Sequence, residues 1–143
     1  CAIRGGPESQ ASIQRAIRLA RETSEPLHFV YVVNLEFLTL TNIGQAHLVA
    51  EELRQMGEFI LLMAQSKAEA QGVPAQIEIR QGDVLEQVFA LCQELDASYV
   101  VLGRSKGHGD AISTDHLERF TGRIGLYTKA KVVLADPADE VGE

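Results

Sequence analysis

The feature that most constrains this chain is a strict alternation of short strand-like runs and longer helical ones. Cys1-Ala2-Ile3, Leu27–Val33, Ala75–Arg80, Ser98–Leu102 and Val132–Ala135 are the strand-like runs. Leu27-His28-Phe29-Val30-Tyr31-Val32-Val33 is β-branched and aromatic almost throughout, the mark of an interior parallel strand covered on both faces. Ala75-Gln76-Ile77-Glu78-Ile79-Arg80 instead alternates with period two, as expected of a strand near an edge. Between these runs lie four helical stretches. Ser9 can cap the first, where Ala11, Ile13, Ala16, Ile17 and Ala20 recur on one face and Gln14, Arg15, Arg18 and Arg21 take the other. The second is expected over residues 45–71, with Leu48, Val49, Leu53, Met56, Ile60, Met63 and Ala64 on its buried stripe. Gly72 stops it and Pro74 prevents a restart. Gly82-Asp83 turns the chain into the third helix, and the fourth is expected near Ser113–Tyr127.

The order β-α-β-α-β-α-β-α-β predicts an α/β fold, a five-stranded parallel sheet with helices on both faces. Each crossover is long enough to bring a strand back parallel to its predecessor. Open sheets of this kind bind ligands beyond the carboxyl ends of their strands, where the strand order reverses. Here those ends are residues 3–6, 33–34, 80–83 and 103–109.

Bulk composition narrows the function. The 143 residues suffice for one domain with a real core, expected over residues 1–136 with an acidic tail at 137–143. Apolar residues make up 45% and aromatics 6%, a globular rather than a disordered composition. Thirteen Lys and Arg against twenty Asp and Glu leave a net charge of −7, which repels phosphate backbones and speaks against nucleic-acid binding. Cys1 and Cys92 have neither metal nor disulfide spacing, so a reduced, cytoplasmic protein is expected. No stretch approaches the ~18 consecutive apolar residues of a membrane span, and no signal peptide is visible. The sequence opens on Cys1 rather than Met, already inside a strand-like run, which leads us to expect either that a few residues are missing from its start or that it is cut from a longer chain.

Gly103-Arg104-Ser105-Lys106-Gly107-His108-Gly109 carries the most chemistry. Glycines after a strand let backbone N–H groups turn inward as an anion nest, and the following helix adds its positive end. Arg104, Lys106 and His108 supply cations; an ordinary solvated loop is the competing reading. The segment lacks the Gly-Lys-Ser/Thr ending of a Walker loop, and Gly5-Gly6 completes no dinucleotide fingerprint. Catalytic groupings are thin. His28 and His47 have no evident carboxylate or thiol partner at a strand end, and His108, Asp110, Asp115 and His116 match no zinc spacing. Neither a nucleophile elbow nor a Cys–His signature is present, so no enzyme is expected.

Gly5, Pro7 and Ser9 with Ile13 and Ala16, then Leu27–Val33, Arg80-Gln81-Gly82-Asp83-Val84, the run from Ala97 into Gly103–Gly109, and Val132–Ala135 together resemble the universal stress protein (UspA-like) family over nearly the whole chain. The resemblance implies a Rossmann-like, adenine-nucleotide alpha-hydrolase-like fold. It implies a ligand site on Ile3, Arg4, Val33, Gly82, Gly103, Arg104, Lys106, Gly107, Gly109 and Arg119. It also implies a homodimer through the last strand, Val132–Ala135. Two departures matter. ATP-binding members carry Asp at the end of strand one, where this chain has Arg4. Their Gly-x-x-Gly, nine residues, Gly-Ser/Thr motif is one residue longer here from Gly103 to Gly107, and Glu118-Arg119 stands where the Gly-Ser pair belongs. A Glu beside a triphosphate repels it, and a side chain in place of Gly blocks close backbone approach. These changes speak against ordinary ATP binding, although ATP stays among the possible ligands. With Arg119 or Arg123 joining the loop cations, they point to a different small anionic ligand such as AMP or a cyclic dinucleotide, held by arginine in place of the usual carboxylate.

Three functions follow from the resemblance and the missing catalytic set. The first is a regulatory domain sensing that ligand, free-standing or attached to a transporter or kinase, membrane contact arising only through a transporter. The second is a ligand-free dimerisation module that has lost ATP binding. The third is a small hydrolase or transferase, for which nucleophile, base and metal are all missing.

Overall fold

A computed structural model describes residues 1–3, 9–34, 43–103 and 114–135. Five strands alternate with four helices: β1 (Ala2–Ile3), α1 (Ser9–Thr23), β2 (Leu27–Val33), α2 (Ile43–Ala70), β3 (Ala75–Gln81), α3 (Val84–Leu95), β4 (Tyr99–Gly103), α4 (Thr114–Tyr127) and β5 (Lys131–Ala135). The expected alternation is therefore present, with element ends displaced by a residue or two. The expected acidic tail, residues 137–143, lies outside the described residues.

All ladders are parallel. β2 lies between β1 and β3, with Ile3 opposite Tyr31 and Val33 opposite Gln81. β4 pairs with β5, Gly103 opposite Ala135. One continuous five-stranded sheet was expected. Instead a three-stranded sheet, β1-β2-β3, stands beside a two-stranded one, β4-β5. β1 packs next to β4 without a ladder among the described residues. β1 has only two residues in ladder geometry, and both serve the pairing with β2. The class is unchanged; β3 and β5 are the outer strands, as the period-two pattern of β3 predicts.

Period two along the strands sends alternate side chains to opposite faces. Ile3, Phe29, Tyr31, Val33 and Val101 meet α1 and α2 in one core, while Ala2, Val30, Val100 and Leu102 meet α3 and α4 in another. The stripe expected on α1 is buried in full, with Ile17 at 0% exposure. Gln14, assigned to the outer face, is buried as well; its amide and that of Gln71 exchange hydrogen bonds of 3.3 and 3.5 Å. The larger correction falls on α2. Leu48, Met56 and Met63 were expected inside and are exposed, whereas Gly57, Leu61, Ala64 and Ala68 form the buried side. A Cβ on Gly57 would stand 2.5 Å from Cδ1 of the buried Tyr31 ring, so the helix approaches β2 at a distance only glycine permits.

Candidate functional site

Parallel pairing gathers like strand ends together. At the amino ends, a cavity of about 270 Å³ is lined by residues that open β1, β2 and β4, among them Ala2, Leu27, His28 and Tyr99. The last turns of α1 and α3 close it through Thr23 and Leu95. Ser98 Oγ donates to Glu25 Oε1 at 3.0 Å across the same end, and Lys131 N donates to the Ser98 carbonyl oxygen at 3.0 Å. Ala75 opens β3 opposite Leu27, so the amino ends lie on one side and the carboxyl ends on the other.

At that carboxyl side the structure brings together the described part of the expected site. Ile3 ends β1, Val33 ends β2, and Gly103 ends β4. Ile3, Val33 and Ala135 share one core cluster, and Ala135 is the register partner of Gly103. Gly82 N donates to the Val33 carbonyl oxygen at 2.9 Å, which seats the β3–α3 turn against the end of β2. Gly82 has φ +141°, a conformation strained for any side chain, and a Cβ there would stand 3.0 Å from Gln87 Nε2. Asp83 caps α3, its carboxylate accepting from Glu86 N at 3.0 Å, so the first turn of this helix has one backbone donor already satisfied.

The cations separate into distinct groups. Arg4, Arg104, Lys106, Gly107, Gly109 and the neighbouring His108 lie outside the described residues. Arg119 is exposed, in the first half of α4. Glu118, beside it, is exposed too. Arg123 does not join the rim. Its Nη1 donates to Glu86 Oε2 at 2.5 Å and its guanidinium lies 4.2 Å from the centroid of the Phe89 ring, so it clamps α4 to α3. Arg80, near the end of β3, is likewise engaged. Nε meets Glu78 at 2.6 Å, and the two terminal nitrogens reach both oxygens of Glu94 at 3.1 and 2.5 Å. Those hydrogen bonds push Arg80 up and hold the Glu94 carboxyl below its ordinary value.

The cavity at the amino ends gave no signal in the sequence. Cys1 and Cys92 both line it, and burial pushes the Cys92 thiol up, which makes it a poor nucleophile. Burial also holds the His28 imidazole below its usual value. Among the described residues no group of three His, Cys, Asp or Glu could hold a metal ion, and no helix is long and apolar enough to cross a membrane.

The model of the universal stress protein family matches residues 1–122. A curated relative, universal stress protein MJ0531 of Methanocaldococcus jannaschii, is 26% identical over 100 residues. That alignment covers 69% of this chain, which spans only 59% of the relative's length. Two solved structures share the fold. A universal stress protein in complex with cAMP has a TM-score of 0.64 at 17% identity, with 94% of each chain covered. The universal stress protein from Archaeoglobus fulgidus in complex with dAMP has a TM-score of 0.60 at 15% identity, again with 94% of each chain covered.

Proposed function

This chain belongs to the universal stress protein family, and we propose that it is a non-enzymatic regulatory domain that senses an adenine mononucleotide at the carboxyl rim of its strands. The observation that carries the reading is the convergence of Ile3, Val33, Gly82 and Gly103 on that rim, with a glycine of positive φ at the turn that closes it. A glycine-bounded rim allows backbone N–H groups to approach an anion closely. Arg80 and Arg123 are held by carboxylates, so in this reading ligand charge is met by Arg4, Arg104 and Lys106, with Arg119 at the helix that follows. One phosphate suits this set better than three, because Glu118 adds negative charge where a longer phosphate chain would run. The two fold neighbours bound to cAMP and dAMP support the same class of ligand. Dimerisation through β5 completes the proposal: among the described residues this strand has a partner on one side only.

Calorimetry of the full chain against AMP, cAMP, dAMP, ATP and a cyclic dinucleotide tests it. Saturable heat with a monophosphate, lost in Arg4→Ala and Arg104→Ala, is expected. Absence of heat from every adenine nucleotide rejects the sensor and leaves the ligand-free dimerisation module.

A further inference from the structure

The cavity at the amino ends of the strands is shaped like a strand's place in a sheet, and it lies at the opposite end from the nucleotide rim. β2 pairs with β3 along all seven residues, Leu27 to Val33, but with β1 only at Val30 and Tyr31. That register sets Cys1 opposite Phe29, so Leu27 and His28 run two residues, ~7 Å of strand, past the start of β1. The cavity of about 270 Å³ occupies this stretch, with Leu27 and His28 on one side and Tyr99 of β4 on the other. Its remaining walls are helical: Ala16 and Ala20 of α1 on one face of the sheet, Val88 and Leu91 of α3 on the other. Packed interiors keep few voids larger than a water molecule, and this one is far larger.

Backbone direction decides what fits it. In a parallel ladder the N–H and C=O of one residue face one neighbour, and those of the next face the other. Cys1 N donates to the His28 carbonyl oxygen at 2.7 Å, so the His28 N–H faces the cavity as well. Lys131 N donates to the Ser98 carbonyl oxygen, which turns the Ser98 groups to β5 and those of Tyr99 toward the cavity. A small apolar molecule would leave these backbone groups against hydrocarbon, and a small polar one would meet the apolar side chains of both helices. An extended segment answers both, with its amides toward the strand edges and its side chains toward the helices. Cys1 packs with the α1 core and Ala2 belongs to the α3 core. Alternation therefore sends a residue joined ahead of Cys1 to Val88 and Leu91, and the one before it to Ala16 and Ala20. Burial pushes the Cys1 ammonium down to about 5, whereas an amide at that nitrogen keeps the donor without the charge. We propose that this cavity is a strand slot whose occupant is two apolar residues joined to the amino side of Cys1, extending β1 between β2 and β4.

Three forms of the full chain test it: the chain itself, one with Ile-Val joined ahead of Cys1, and one with Ser-Gly joined there. The Ile-Val form should melt about 5 °C or more above the Ser-Gly form, because only its side chains fill the helical walls. Its His28 amide should exchange with solvent about tenfold more slowly, held by a new ladder partner. Benzene, an apolar probe that cavities of this kind accept, separates filling from general stabilisation. It should bind the chain itself more tightly than the Ile-Val form. Equal melting of the two extended forms, unchanged exchange at His28, or no difference in benzene binding each overturns the proposal. So does a gain in melting temperature that appears only as the Ile-Val form dimerises, which would assign the slot to a second copy. AMP titrations should be the same for all three forms, so the slot and the rim stand or fall separately.

Discussion

Helices α1 and α2 lie on the same face of the sheet and are read very differently from their sequences. In α1 the apolar residues mark the buried side and the arginines the outer one, so a periodicity argument places Ala11, Ile13, Ala16, Ile17 and Ala20 correctly. In α2 the large apolar residues surround the helix, and the same argument sends Leu48, Met56 and Met63 to the wrong side. What separates the faces of α2 is size. Gly57, Ala64 and Ala68 repeat at helical spacing with Leu61 and allow close approach to β2, while the bulkiest side chains point to solvent. Hydrophobicity says that a helix is apolar; side-chain volume says which face the sheet has room for.

Truncation offers the strongest way to break this comparison. Ile17→Ala should cost about 2–5 kcal/mol, because it opens a cavity at a fully buried position. Leu62→Ala, an equally drastic truncation on the exposed face of α2, should stay within about 0.5 kcal/mol by denaturant unfolding. Equal losses would mean that Leu62 is buried in solution. Gly57→Ala sharpens the same point with the opposite change. Alanine gains about 1 kcal/mol of helix propensity over glycine, but the added methyl meets the Tyr31 ring, an overpacking cost of about 1–3 kcal/mol. We expect a net loss of up to about 2 kcal/mol, and a net gain would show that the helix sits farther from β2.

The smallest effect concerns the Arg80–Glu94 pair, which fastens the outer strand β3 to α3. Glu94 is held below its ordinary value in the folded protein. Its contribution is therefore present above the unfolded pKa and is lost as pH falls through the folded one. In Arg80→Gln the Glu94 midpoint followed by NMR should rise. The stability difference between wild type and variant should shrink on acidification through that window.

The alternation of elements, the interior character of β2, the outer position of β3 and the turn at Gly82-Asp83 were legible because each rests on local chemistry. Period two, β-branching and a capping aspartate act within a few residues. The break between the two sheets was not legible, because the length of a ladder depends on how two distant segments meet. Arg123 shows the same limit at the site. Read as a possible ligand cation, it is taken up instead by Glu86, a carboxylate partner that arrives from another part of the chain. The cavity at the amino ends is built by Leu27, Leu95 and Tyr99, distant in sequence and ordinary as single residues.

The proposed nucleotide rim and the opposite cavity are two places among the described residues where a small molecule could sit, and amide chemical shifts on titration with AMP distinguish them directly. The account predicts saturable shifts at Val33, Gly82 and Gly103 with none at His28, Ser98 and Tyr99. Shifts confined to the second group, or to neither, contradict it.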